Sequence, residues 1–349
     1  MARCSSPTTR TARSIASRRS IVKPGARAAL AVAALAGTLA ARPLAAQNEA
    51  IVARADTLLI AGRIFAAESL YYVAVRRGPR DPVARLALGR YLAQRGALKV
   101  GAVLMEEARY FGGDPARIAL ELAPVYQRLG EYNHLAALPA SAVSYGERMR
   151  AEFLRDNRPG IAGPDSATVD YLVNDSQLLG RVRLLIGVDT VMATIDARSE
   201  GLVLDTSWAR RKELQRFGAR TLATREVDAV TPAVALGPYA FTNVPTRFAV
   251  MHGAGKATIG LDLIGQLAPS FDPRRGKVVL RAGGRLPSSF PGLRIATLTN
   301  DHGVYVVKGE TIFPLGHPDV QRYFRNSRWT LNPKKGEVLV DSVGPPNAL

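Results

Sequence analysis

The chain has 349 residues, of which 47% are hydrophobic and 22% are charged, so it can bury a sizeable core and is not a disordered chain. Its formal net charge is +18, but residues 1–46 contain eight of the 47 Lys and Arg and no acidic residue, which leaves 39 − 29 = +10 for the rest. Because these remaining cations are scattered, without dense basic runs or interleaved aromatic residues, we expect no nucleic-acid partner.

Cysteine and histidine are too sparse to suggest metal or thiol chemistry. The only cysteine is Cys4, and the four histidines are widely separated and belong to no metal-binding motif: His134, His252, His302 and His317. We therefore expect no metal, no cofactor and no cysteine nucleophile.

Residues 1–46 have the pattern of an export signal. The basic segment SRRSIVK is followed by the weakly apolar stretch ARAALAVAALAGTLAA and by small residues ending at Ala46. The pair Arg18 and Arg19 resembles a twin-arginine signal, which predicts export to the periplasm or cell envelope of a bacterium. The apolar stretch is too short for a membrane span, and we expect no stable membrane span after the signal is cleaved. An organellar transit peptide is the alternative interpretation.

Residues 47–140 contain a 34-residue periodicity. Gly62, Gly96 and Gly130 are spaced 34 residues apart, and each lies between two segments with helical apolar periodicity. This spacing predicts successive helical hairpins. It resembles the tetratricopeptide repeat, without its early tryptophan, which implies a short solenoid that binds a peptide or a protein. The alternative is that the repeats only brace the next domain.

The pattern changes after the repeats. Residues 141–180 are rich in Asn, Pro, Gly, Asp and Ser, which predicts a linker. Short β-branched runs follow over 181–284, as expected for a mostly β domain. In the remaining range, 285–349, the segment TLNPKKGEVLV repeats the pattern of SFDPRRGKVVL 60 residues earlier. We expect this C-terminal extension to add strands to the barrel, as a reduced copy or as simple extra strands.

Residues 181–284 resemble the bacterial retropepsin-like aspartic peptidases. The resemblance lies in three segments: RVRLLIGVDTVMATID, VTPAVALGPYAFTNVPTRFAV and ATIGLDLIGQLAPSFDPRRGKVVLR. They correspond to two opening strands with a turn near Gly187, middle hairpins, and a closing short helix with a hairpin. The resemblance implies a β-barrel lobe and hydrolysis of peptides by a water activated by aspartate.

Two aspartates could begin the catalytic loop of this family, Asp196 and Asp205. In this family a catalytic Asp loop is followed by a returning apolar strand and then by a helix. The segment that starts at Asp196 fits this order, with D-A-R and S-E-G as the loop and L-V-L as the strand. From Asp205 the chain enters the predicted helix WARRKELQRFG directly, so Asp205 is expected to cap that helix, with Gly218 after its end. Asp262 is likewise expected to cap the helix that follows Gly260.

The loop at Asp196 is degenerate. Ala197 replaces the family's Thr and cannot join two loops by a hydrogen bond, and Arg198 replaces its Gly. Catalysis also needs two neighbouring carboxylates that share a proton, and a guanidinium beside them favours both staying ionised. One lobe supplies one Asp, so an active enzyme would be a homodimer.

Together these patterns predict a multidomain α + β protein, with a helical-hairpin solenoid followed by a mostly β retropepsin-like barrel. The expected function is binding of, or action on, peptides or proteins, with proteolysis impaired at Asp196. Two alternatives stay open. One is an active homodimeric aspartic endopeptidase that uses Asp196, and the other is a cell-envelope scaffold that holds a partner through its helical repeats.

Overall fold

The computed structural model describes residues 46–174, 177–197, 199–212, 214–219, 226–251, 255–286, 292–300 and 303–341. The chain from Gln47 onward forms one compact unit. A helical region comes first and a β-rich part follows. The predicted export signal lies outside the described residues except for Ala46.

The helical region runs from residue 46 to Asp156. Its helices are α1 (46–60), α2 (Ile64–Arg77), α3 (Pro82–Gln94), α4 (Leu98–Tyr110), α5 (Pro115–Leu129), α6 (Tyr132–Ala136) and α7 (Tyr145–Asp156). Asp81 and Asp114 begin α3 and α5, where each carboxylate accepts two backbone N–H bonds ahead of a proline in the first turn. Gly62, Gly96 and Gly130 have positive φ between consecutive helices, as the periodicity predicts.

The β-rich part is a continuous, highly curved set of strands with short helices between some of them. The strands are β1 (Gly160–Ala162), β2 (Ser166–Asn174), β3 (Gln177–Ile186), β4 (Asp189–Asp196), β5 (Leu202–Asp205), β6 (Gln215–Ala219), β7 (Val227–Leu236), β8 (Tyr239–Ala249), β9 (Ala257–Gly260), β10 (Ser270–Asp272), β11 (Lys277–Arg281), β12 (Leu293–Asn300), β13 (Gly303–Lys308), β14 (Thr311–Pro314), β15 (Trp329–Asn332) and β16 (Glu337–Val340). The helices are α8 (Thr206–Ala209), α9 (Leu261–Ile264) and α10 (Pro318–Arg325).

Hydrogen-bonded neighbours place these strands in the order β14-β13-β12-β16-β15-β10-β11-β2-β3-β4-β9-β5-β8-β7-β6, with β1 beside β8. A further pairing of β3 with β7 closes part of the sheet on itself. Alternating side chains from these strands form one apolar core, which includes Phe241, Ile259, Phe271 and Trp329. The hairpins predicted near Gly187, over 230–250 and at 272–276 are present, and the second of them is formed by β7 and β8.

Two segments differ from the sequence-based expectation. The range 141–180, expected to be a linker, contains α7, β1, β2 and the beginning of β3, and β2 pairs with both β3 and β11. The helix expected over WARRKELQRFG ends at Ala209, and its second half is β6. Phe217 on β6 packs on Phe153 of α7 with 5.4 Å between ring centroids, so tertiary packing and pairing with β7 override local helix propensity.

The helical region packs directly on the β-rich part. Arg95, after α3, donates hydrogen bonds to the carbonyl oxygens of Thr297 and Gly336. A Cβ on Gly96 would lie 2.2 Å from the Pro333 carbonyl oxygen, so only glycine allows the two backbones to come this close. Among the described residues, no helix is long and apolar enough to cross a membrane.

Candidate functional site

Asp196 lies at the carboxyl end of β4, where β4 runs parallel to β9 and Asp196 is paired with Gly260. Its side chain is half-buried, and the Ser199 hydroxyl donates a 2.9 Å hydrogen bond to Oδ2. Ala197 packs against the apolar core. Arg198, the third residue of the predicted catalytic loop, lies outside the described residues. The Ser199 hydroxyl that donates to Asp196 is three residues further along the same loop.

Asp262 fixes the end of the loop from Asp196 to Gly201, which is called the Asp196 loop below. The Gly201 N–H lies 2.9 Å from each oxygen of the Asp262 carboxylate, and the Gly260 N–H donates to the Gly201 carbonyl at 2.7 Å. A Cβ on Gly260 would lie 2.3 Å from the Ser199 carbonyl oxygen, so this close approach requires glycine. The expectation that Asp262 caps α9 is wrong, because Gly260 is the residue that precedes α9 and no side chain caps this helix. Its carboxylate is instead directed to the Asp196 loop.

The Asp262 carboxyl is a titrating group next to the loop. Burial raises its pKa to about 6, and the nearby Glu200 carboxylate adds to the shift, whereas the hydrogen bond from the Gly201 N–H opposes it. The folded chain therefore keeps a proton on Asp262 at pH values where the unfolded chain has lost it.

This shift predicts that Asp262→Asn changes stability in a pH-dependent way. Between the ordinary pKa of 3.8 and about 6 the folded state binds more protons than the unfolded state, so this carboxyl lowers stability as pH rises through that window. The full difference is about 3 kcal/mol. The asparagine side chain keeps an acceptor for the Gly201 N–H, so the variant should gain most of that amount relative to the natural chain between pH 4 and pH 7. Urea unfolding at both pH values measures it, and an equal difference at the two pH values contradicts it.

Asp205 has a structural role, as the sequence predicts. It begins α8 and accepts hydrogen bonds from the backbone N–H groups of Ser207 at 3.1 Å, Trp208 at 3.2 Å and Met251 at 3.2 Å. Its side chain is buried, and the Ser207 hydroxyl, which also donates to it, holds the pKa of this carboxyl below its usual range. These donors satisfy the carboxylate within the fold.

A chain of polar side chains connects the Asp196 loop to the helical region. The Gln127 amide on α5 donates a 2.9 Å hydrogen bond to Glu200, and its carbonyl oxygen accepts one from Arg150 on α7 at 3.3 Å. Arg150 in turn forms an ion pair with Asp228 on β7, with 2.6 Å between Nη1 and Oδ1. The two charged side chains are only 5% and 0% exposed. The helices are thereby attached to the loop and to the barrel at the same time.

A cavity of about 520 Å³ lies between the loop and the helices. Ala197, Ser199 and Glu200 form part of its wall on the barrel side. Further lining residues come from the helices and from the strands after residue 293, and include Gln127, Arg128, Leu135, Val143, Thr297, Thr299, Val304 and Leu331. Burial lowers the pKa of the Arg128 guanidinium, and the Glu200 and Asp262 carboxylates oppose this effect. The cavity thus combines apolar side chains with many polar and charged ones, which include Arg90, Arg128, Glu200 and Arg247.

Sequence patterns did not identify Gln127, Arg150, Asp228 or the role of Glu200. These residues are 73 or 78 positions from their partners, and no local motif connects them. Over the described residues, no group of three or more His, Cys, Asp or Glu side chains is arranged to hold a metal ion.

Comparison with known proteins gives a distant likeness to solved structures. No protein-family model matches the chain, and no curated protein matches it. A solved structure described as a retropepsin-like aspartic protease from Rickettsia conorii aligns with 36% of this chain and 92% of its own, at 12% identity and a TM-score of 0.26. Similarity at this level does not define activity or site residues, so the function has to be inferred from the chain's own geometry.

Proposed function

We propose that this chain is a peptide- or protein-binding protein, built on a retropepsin-like lobe whose Asp196 loop no longer cleaves. One observation carries the proposal. The loop that follows Asp196 is fastened to the chain's own α5 by the hydrogen bond between Gln127 and Glu200. A homodimeric aspartic peptidase must present this loop to the same loop of a second chain.

The immediate surroundings of Asp196 also favour loss of cleavage. An aspartic peptidase needs a second carboxylate that shares a proton with the first. The Ser199 hydroxyl donates to Asp196, and Ala197 has no hydroxyl with which to join another loop. The resemblance implies a Thr hydroxyl at position 197 that joins the two loops of a catalytic pair, so the alanine there favours a loop that no longer brings two carboxylates together.

The cavity supports a binding role. Its volume of about 520 Å³ is in the range of small-ligand pockets and suits a few residues of an extended peptide. Backbone amides of a peptide need polar partners, which the Thr299 hydroxyl offers, and apolar side chains can pack against Leu135, Val143, Val304 and Leu331. The proposal includes tetratricopeptide-like repeats as the opposite wall and export to the periplasm or cell envelope, which the pattern of residues 1–46 supports.

The first alternative is an active homodimeric endopeptidase that uses Asp196. The position of Asp196 at the end of a strand favours it, since the carboxylate is half-buried and held by a hydrogen bond. It requires that α5 leave the loop, which breaks the bond between Gln127 and Glu200. This alternative therefore predicts dimers in sedimentation, and Gln127→Ala should then increase cleavage.

The second alternative is a scaffold that holds a partner through the helices. Large apolar side chains on the helices favour it, because Val103 and Tyr110 on α4 are 57% and 84% exposed. In that case Val103→Ser should weaken capture of the partner, whereas a substitution that fills the cavity should leave capture unchanged.

Capture of peptides tests the proposal. The purified chain and its Asp196→Asn variant are incubated with a tryptic digest of an unfolded protein, and bound peptides are separated from free ones by gel filtration. Asn fills the same volume as Asp, so we expect both proteins to retain the same subset of peptides. Failure of the natural chain to retain any peptide contradicts the proposal.

A further inference from the structure

Two hairpins of the β-rich part share one sequence pattern. The segment Ser270–Leu280 reads SFDPRRGKVVL, and Thr330–Val340 reads TLNPKKGEVLV. The first forms β10 and β11, and the second forms β15 and β16. Both turns end in a glycine with the same left-handed backbone, Gly276 at φ +60° and Gly336 at φ +57°. The similarity of the two segments therefore extends from sequence to conformation.

The two hairpins meet at a local two-fold axis. Ser270 on β10 lies opposite its counterpart Thr330 on β15 in an antiparallel pair, with 2.5 Å between the two hydroxyl oxygens. On one side of this point Phe271 is paired with Trp329. On the other side the Leu331 N–H donates to the Pro269 carbonyl at 3.1 Å. The counterparts of Phe271 and Trp329, 60 positions away, are Leu331 and Pro269. The first contact is therefore equivalent to the second, as a two-fold axis requires.

The same symmetry continues outward through five strands on each side. From the axis the order is β10, β11, β2, β3, β4 in one direction and β15, β16, β12, β13, β14 in the other. The corresponding strands also follow one another in the same order along the chain. In both copies a short helix, α9 or α10, precedes the hairpin. The turns from β3 to β4 and from β13 to β14 contain equivalent glycines, Gly187 at φ +62° and Gly309 at φ +59°.

The second copy lacks the strands that carry the site in the first. The chain between β14 and α10 is described throughout, and nothing in it corresponds to β5–β9. Asp196 is 196 − 187 = nine residues after its turn glycine, and nine residues after Gly309 is Pro318, the first residue of α10. At this distance from its turn the second copy has already entered α10, so no strand end there corresponds to the one that carries Asp196.

We propose that residues 293–340 are a second, reduced copy of the barrel lobe, which takes within one chain the place of a partner protomer. The cleft beside Asp196 is completed by this copy, because Thr297 and Thr299 of β12 line the same cavity as Ala197 and Ser199. The chain is thus a monomer whose site contains one Asp loop and a wall supplied by the second copy. Only the binding role of that wall rests on the proposed function.

Cross-linking across the axis tests the arrangement. Ser270→Cys and Thr330→Cys are combined with Cys4→Ser, which leaves no other cysteine in the chain. Directly opposite residues in an antiparallel pair have β-carbon spacing close to that of a disulfide. Oxidation should give a disulfide within one chain, and sedimentation should give the mass of a single chain. Disulfide-linked dimers, or thiols that stay free under oxidising conditions, overturn the proposal.

The contribution of the wall is tested with the peptide-capture assay described above. Thr299→Val removes a hydroxyl from the cavity wall, and Thr311→Val on β14 is the matched control because Thr311 is exposed and does not line the cavity. Retention should fall roughly two- to tenfold for Thr299→Val, the effect of one lost hydrogen bond, and stay unchanged for the control. Equal retention by all three proteins overturns the role of the wall. If the natural chain retains no peptide, the proposed function fails, while the cross-linking result still decides the second copy.

Discussion

Arg150→Met should lower the free energy of unfolding by roughly 3–5 kcal/mol, because it leaves the Asp228 carboxylate buried without its guanidinium partner. Arg150 also donates to the Thr246 carbonyl at 3.4 Å and to Gln127, so one side chain joins α7, α5 and the barrel. The variant should therefore loosen the contact between the helices and the barrel as well as reduce overall stability.

Urea unfolding followed by circular dichroism measures this loss. Arg155→Met is the matched control on the same helix, since Arg155 is half-exposed and pairs with the exposed Asp156, so its cost should be much smaller. The double variant Arg150→Met, Asp228→Asn should recover part of the loss, because it removes the uncompensated charge. A loss below about 1 kcal/mol for Arg150→Met, the level of an exposed pair, contradicts the role given to this ion pair.

Trp329→Ala should cost about 3–5 kcal/mol in a single cooperative transition. Trp329 on β15 is completely buried, stacks on Phe271 of β10 with 4.4 Å between ring centroids, and meets Phe324 of α10 edge-on at 5.1 Å. Phe271 belongs to the first copy of the lobe and Phe324 to the second. The indole therefore holds the two copies together, and its removal leaves a cavity that both of them line.

The conservative variant Trp329→Phe separates packing from hydrogen bonding. Within the described residues the indole N–H has no hydrogen-bond partner, so Phe loses contact area but no hydrogen bond, and the cost should be roughly 1–2 kcal/mol. If residues 293–340 were only an appendage, Trp329→Ala would produce a separate, early transition and leave the main one unchanged. Differential scanning calorimetry distinguishes the two outcomes.

Local signals in the sequence were sufficient for the caps and turns. Asp205 precedes residues whose free N–H groups need an acceptor, and the turn at Asp272–Gly276 contains its proline and glycine at the required places, so both could be predicted. The matching turn 60 residues later could be recognised as a repeat. Its position against the first turn could not, because the register of Ser270 with Thr330 depends on the whole sheet.

Long-range contacts account for what the sequence did not reveal. Residues 166–174 have the composition of a linker but form β2, because β3 and β11 supply hydrogen-bond partners on both sides. The assignment of Asp262 to a helix cap failed because its carboxylate reaches Gly201, 61 residues away. The attachment of the Asp196 loop to Gln127 is equally non-local. The parts of the candidate site that decide its function are thus those that only the fold brings together.

Mass spectrometry tests most directly whether the Asp196 loop still cleaves. The peptides of the capture assay are analysed after incubation with the chain between pH 3 and pH 8. The Asp196 loop is attached to α5, and no second carboxylate is expected from the reduced copy. We therefore predict that peptides are recovered with intact ends, in the same pattern for the natural chain and for Asp196→Asn. New peptide ends that form with the natural chain and disappear with Asp196→Asn would contradict the account and establish an active aspartic endopeptidase.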